Sequence, residues 1–439
     1  MQPSGVRATA VFMILVSMII ALAVFSFPYA PLEDLPEWIY QGYIFNKLAA
    51  GVPSPDFALK TFPVPYALFQ SIASLCLLFA SPMATSRIVV GIYAVLALLA
   101  VHRVILRYRL DPLVAWPLLI SIVILNSPFW NGYMGYQFGL IVILFYLALA
   151  ERAQTDAGWI FLFSVLAFFA HGWAFVSILV LIGINALYAR RILASSVAIA
   201  PSILLVVWYQ THNVNPGVLT ELFQVGQVNI FVYKIYTLLK AAPFHNPIAF
   251  NFNASAQYGA AYLGSGLLID AVFMAALLVL AVDAIRKSGW QLILGRPQLL
   301  AGVILVLLAA ALPRTGFGMA NPGERVLYPA IVALSVAIFA DVELPFVPKA
   351  ILGGALLGGV ALFALGLTGA SASYRAESAK FDPPPPMTIQ AISSELFFGH
   401  RLVQFDRKMR LLEQAWSDGA MPTAPLAFET ALIAPKRNK

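Results

Sequence analysis

Apolar runs recur from one end of the chain to the other, several of them about 18 to 25 residues long and divided by short polar or Pro/Gly-bearing breaks. A helix of that length crosses a hydrocarbon layer of about 30 Å, whereas a barrel would show short strands alternating inward and outward. The pattern predicts spans over about 8–27, 87–106, 113–125, 135–150, 192–208, 262–284, 299–312, 326–340 and 350–367. Two segments do not fit a single rule. Residues 62–80, FPVPYALFQSIASLCLLFA, are apolar but open with two prolines; residues 158–188 run for about 31 positions, too long for one untilted crossing and short for two. Laying 62–80 along the interface and folding 158–188 into a hairpin at His171-Gly172 puts Arg103, Arg107, Arg109 and Arg152 on the cytoplasmic side and leaves Arg87 outside, as the positive-inside rule favours. About eleven crossings follow.

Composition narrows the class. With 61% hydrophobic and 11% charged residues and a mean hydropathy of +0.84, the chain cannot cover the surface of a soluble domain. It reads as an all-α polytopic membrane protein. The run at 8–27 is longer than a signal-peptide core and is taken as a retained first span. Cys76 stands alone, which removes disulfides and paired-cysteine metal or redox sites. The net charge of +7 reports orientation and contact with membrane lipids, since no basic patch interleaved with aromatics suggests nucleic acid. The expected organisation is a membrane domain over 1–368, with a first outer loop at 28–86 and a large outer loop at 209–257, followed by a small outer tail at 369–439 with an amphipathic helix near 389–416.

The polar residues concentrate in the outer loops. The first reads PYAPLEDLPEWIYQGYIFNKLAAG, where Pro36 suits a first helical turn and an interfacial helix would hold Glu33, Asp34 and Glu37 at the membrane boundary. A carboxylate there could take a proton at a headgroup; the plainer reading, since acids are common at helix starts, is that Asp34 caps the helix and Glu37 is solvated. A later turn, PRTGFGMANPGERVLYP, carries Arg314 and Arg325, whose forked guanidinium groups suit a lipid phosphate, or else pair with Glu324 or snorkel. His171 could donate to a phosphate or sugar or bond to backbone; His245 lies in the large loop with Lys234 and Lys240. The turn NSPFWNGYMGYQFG offers aromatics and amides suited to sugar stacking.

One span, an acidic outer loop, EDLPEW, and a proline-bearing segment before an Arg-led helix, FPVPYALF through SRIVVGIYAVL, together resemble the GT-C class of glycosyltransferases over about residues 8–191. The resemblance implies a bundle with juxtamembrane helices in its first periplasmic loop, in a bacterial inner membrane with the active site on the periplasmic face. It implies a polyprenyl-phosphate-linked sugar as donor, a lipid or glycan acceptor, and inversion with a carboxylate base. The base role carries over to Asp34, with Glu33 and Glu37 as rivals. Arg314, Arg325, His171, His245 and Lys240 are the candidate phosphate or substrate contacts on chemical grounds. The turn at 126–139 lacks the second acidic residue of many relatives, which leaves a divalent metal ion open. An envelope-polysaccharide polymerase or ligase and a non-enzymatic transporter or flippase are the competing expectations.

Overall fold

In the computed structural model, which describes residues 3–212, 230–249, 257–313, 315–316, 319–380, 398–422 and 432–435, the apolar runs are helices. In chain order the elements are α1 (Pro3–Phe25), α2 (Leu35–Ala49), β1 (Phe57–Leu59), α3 (Ala67–Cys76), α4 (Pro82–Tyr108), α5 (Pro112–Val123), α6 (Ser127–Trp130), α7 (Met134–Ala148), α8 (Glu151–Gln154), α9 (Ala157–Ala170) and α10 (Gly172–Tyr188). There follow α11 (Ile192–His212), α12 (Ile230–Leu239), α13 (Ala260–Ser288), α14 (Trp290–Leu294), α15 (Pro297–Ala311), β2 (Thr315–Gly316), β3 (Met319–Ala320), α16 (Pro322–Phe339), α17 (Phe346–Lys380), α18 (Phe398–Ser417) and β4 (Ile433–Pro435). The protein is an all-α integral membrane protein. Among the described residues, seven helical stretches are long and apolar enough to cross a bilayer: 7–25, 82–108, 112–130, 192–212, 260–288, 322–339 and 346–376. Val11, Ile14 and Met18 on α1, and Leu193, Val197 and Leu204 on α11, lie exposed on the outside of the bundle, as lipid-facing positions require. The shorter apolar helices α7, α9, α10 and α15 occupy the remaining places where crossings were expected.

Both ambiguous segments are interrupted. Residues 62–80 form the ten-residue α3, entered through Tyr66 in the left-handed region at φ +72°. The run over 158–188 divides into α9 and α10 at the single extended residue His171, and the two halves pack on each other. Two expectations change. The first-loop helix does not lie with solvated carboxylates: α2 is buried from Leu35 to Ile44, because α18 closes over it while α3 and α4 support it from beneath. The last span does not end near Leu367; α17 continues to Lys380 with Ala370, Ser371 and Tyr374 buried, so the tail leaves the bundle later. Of the amphipathic segment, α18 is described and 389–397 lies outside the described residues.

The C-terminal part is built into the first loop. The Tyr43 hydroxyl donates to the carbonyls of Ala415 (2.7 Å) and Ala420 (3.0 Å), the Trp416 indole donates to Leu77 O (3.3 Å), Glu413 accepts from the Met83 N–H at the start of α4 (3.0 Å), and β4 pairs antiparallel with β1.

The bundle has two unlike ends. One has short connections rich in arginine: Arg107 donates to Leu149 O, Arg109 pairs with Asp341, Lys349 with Asp111, and Arg296 caps the carbonyls of Ala337 and Ala340. The other gathers the long loops. There residues 241–249 wedge between α13 and α17, tied down by the Phe244 N–H to Asp270 Oδ1 (3.0 Å), by His245 Nδ1 to Asp270 Oδ2, and by the Tyr262 hydroxyl to Ala249 O. Gly366 of α17 faces Ile248 O so closely that any Cβ would collide with it.

Candidate functional site

The acidic stretch is fixed by backbone before any side chain is considered. The N–H of Glu33 donates to Trp130 O (3.3 Å) and that of Asp34 to Asn131 O (3.1 Å), so residues 33–34 dock along the α6–α7 turn. That turn is itself held by Asn126, whose Oδ1 accepts from Phe129 N (2.7 Å) and Gln137 Nε2 (2.8 Å). Gly132 makes the approach feasible: it sits at φ +79°, and a Cβ there would lie 2.6 Å from Asp34 N and 2.8 Å from Leu35 N. Neither neighbour is a side chain that can move aside. We expect Gly132→Ala to cost about 1–3 kcal/mol and to lower the melting temperature of the purified protein; an unchanged melting temperature would show that the docking is loose.

Asp34 stands at the N-cap position of α2, but its side chain does not cap the helix. It is half-buried, beside the buried Glu33. Tyr133 follows directly in the turn on which they dock. Its phenol is pushed up to about 12 by burial, countered by the charge of Arg325 and reinforced by those of Asp34, Glu33 and Glu324. Arg325 stacks on that ring, with Cζ 4.5 Å from its centroid, and donates from Nη1 to Asn321 O (3.4 Å).

The carboxylate next to Arg325 in sequence is engaged elsewhere. Glu324 accepts from Lys240 Nζ (3.1 Å), Asn321 Nδ2 (2.9 Å) and the Tyr328 hydroxyl (3.2 Å), so the alternative of a Glu324–Arg325 pair gives way to a Glu324–Lys240 pair. Burial would depress the Lys240 ammonium, but Glu324, together with Tyr236 and Tyr233, more than compensates and holds it above its ordinary range. His245 is farther in, bonded to Asp270 and lying edge-on to Tyr236 with centroids 5.3 Å apart; Tyr236 feels the charges of Lys240, Glu324 and Asp270. His171 is buried, its ring edge-on to Tyr66 (4.9 Å) and Tyr136 (5.3 Å), and its Nδ1 accepts from Trp173 N (3.0 Å) as the N-cap of α10.

Glu33 and Asp34 docked on the α6–α7 turn, Arg325 on Tyr133, Lys240 on Glu324 and His171 on Tyr136 thus form one cluster of linked neighbours, with His245 joined to its inner edge through Tyr236. Glu37 is not part of it. Its carboxylate is fully buried and ion-paired with Lys408 of α18, with Gln41 Nε2 donating to the other oxygen (3.2 Å). Arg314 lies outside the described residues. Tyr133 and Tyr136 come from the aromatic turn already singled out, whereas nothing in the sequence around Tyr66 or Lys408 marks either as a partner of these residues. Among the described residues no group of three His, Cys, Asp or Glu side chains gathers as a metal ion would need. No protein family, curated protein or solved structure was found to match this chain.

Proposed function

We propose that the chain is a glycosyltransferase of the GT-C type, with about eleven crossings, that moves a sugar from a polyprenyl-phosphate donor to a lipid or glycan hydroxyl at the periplasmic face of a bacterial inner membrane. The observation that carries this reading is the junction at the α6–α7 turn, where the acidic residues of the first loop dock by backbone on Trp130 and Asn131 and the guanidinium of Arg325 from the start of α16 stacks on Tyr133. Transfer to a hydroxyl needs those two groups close together. Asp34 takes the proton of the acceptor hydroxyl while its oxygen bonds to the anomeric carbon from the face opposite the phosphate. The bond from that carbon to the phosphate oxygen breaks, its electron pair stays on the phosphate, and Arg325 stabilises the added charge. Attack from the opposite face inverts the anomeric centre.

The side assignment is supported by charge. The short connections at the far end of the bundle carry Arg109, Arg152, Arg190, Arg191 and Arg296, the bias expected of cytoplasmic loops, so the cluster faces out. An Arg107→Cys substitution is expected to resist an impermeant thiol reagent added to the outside of cells, against a background in which Cys76 is buried; rapid labelling would invert the orientation. The catalytic reading is tested by transfer from polyprenyl-phosphate sugars in membranes containing the wild-type chain or Asp34→Asn.

A further inference from the structure

Three helices of fifteen or more residues start at the same place. Tyr136 is in the first turn of α7, His171 is the N-cap of α10, and Arg325 is in the first turn of α16. The starts of α7 and α16 have no side-chain cap and that of α10 is capped by His171, and each sets the positive end of a helix dipole at its first turn. The nearest carboxylate on α16, Glu324, is already neutralised by Lys240.

The Tyr136 side chain is fully buried, and among the described residues its hydroxyl makes no hydrogen bond. A buried hydroxyl without a partner lowers stability, and phenylalanine would fill the same space without that cost. The charge of Arg325 sits on the ring of Tyr133, three residues before Tyr136, and the Tyr136 and His171 rings meet edge-on with centroids 5.3 Å apart. Burial and that same charge hold the His171 imidazole below its ordinary range, so it is neutral at physiological pH. Because Nδ1 accepts from the Trp173 N–H, the ring proton is on Nε2, which makes the second ring nitrogen a donor.

We propose that the Tyr136 hydroxyl and the His171 Nε2–H are two neutral donors that, together with Arg325, grip the oxygens of a phosphate group carried on a prenyl lipid. This deepens the glycosyltransferase reading and rests on it: the two donors would hold the donor's phosphate before transfer and the leaving phosphate after it. One fixed cation with two neutral donors can follow the charge as it grows on the phosphate, without bringing in further cations that would bind the product too tightly.

The test is binding to the full-length chain in detergent, with farnesyl phosphate, farnesol and inorganic phosphate as probes. Tyr136→Phe is expected to leave the melting temperature of the ligand-free protein unchanged or raise it, and to weaken farnesyl phosphate binding by about 10- to 100-fold, the effect of a lost hydrogen bond to a charged group. Farnesol binding should be the same in both. His171→Asn keeps an acceptor for the Trp173 N–H and removes the Nε2 donor, so it should weaken farnesyl phosphate binding with little change in melting temperature. Inorganic phosphate should compete with farnesyl phosphate in the wild type. Equal farnesyl phosphate binding by wild type and Tyr136→Phe would overturn the proposal, as would a lower melting temperature in Tyr136→Phe with farnesol affinity falling in parallel, since the phenol would then serve packing. Phosphate binding without sugar transfer would sink the transferase reading and leave this one standing; transfer with Tyr136→Phe binding unimpaired would do the reverse.

Discussion

Asp34→Asn is expected to abolish sugar transfer from a polyprenyl-phosphate donor while the protein accumulates and melts as the wild type does. The expected loss is about 10²- to 10⁴-fold, the contribution of a positioned general base. Asparagine keeps the size of the side chain, and the Asp34 N–H to Asn131 O bond that seats residues 33–34 is made by backbone, so the α6–α7 docking survives the change. The side chain does not cap α2, so helix stability should not fall. What is lost is the capacity to accept a proton beside Arg325 and Tyr133. Glu33→Gln is the control: Glu33 is the more buried of the two carboxylates, and its replacement should cost far less transfer. Full residual transfer in Asp34→Asn would remove it as base, and loss in Glu33→Gln alone would move the role one residue back.

The bundle was legible because hydropathy and the bilayer act on the same length scale: a run of apolar residues long enough to span must be a helix, since lipid offers its backbone no partners. The break at His171 was legible for a related reason, as a 31-residue run exceeds what the membrane accommodates. Hydropathy left 62–80 open, and there the chain forms only the ten-residue α3, about 15 Å long at about 1.5 Å per residue. The site was legible only in pieces. EDLPEW and NPGERV each announce polar groups beside apolar helices, but nothing local says that residues nearly 300 positions apart meet on Tyr133. That meeting depends on Gly132 admitting the Asp34 backbone and on the start of α16 lying beside the start of α7, which are tertiary facts. Glu37 shows the limit most clearly. Its helix periodicity with Gln41 is local and was readable, yet its burial arises from α18, whose Lys408 is 371 positions away.

Lys408→Met is expected to be among the most destabilising single substitutions in the chain, by about 3–5 kcal/mol, because it strands the Glu37 carboxylate where water does not reach. Both side chains are essentially inaccessible, and Lys408 Nζ also rests 4.4 Å from the centroid of Tyr40, so the ammonium is held by a carboxylate and an aromatic face. Glu37→Gln alone leaves the opposite charge stranded and should cost a comparable amount. The double variant Glu37→Gln/Lys408→Met buries no charge and should recover most of the melting temperature, since a buried ion pair contributes little net stability over a neutral replacement of similar volume. Additive losses in the double variant would mean the two groups do not act as a pair. The same cycle separates the carboxylates by role. If Glu37 only holds α18 against α2, and through α2 the seat of Asp34, transfer returns together with stability in the double variant. If Glu37 were the base, stability would return and transfer would not.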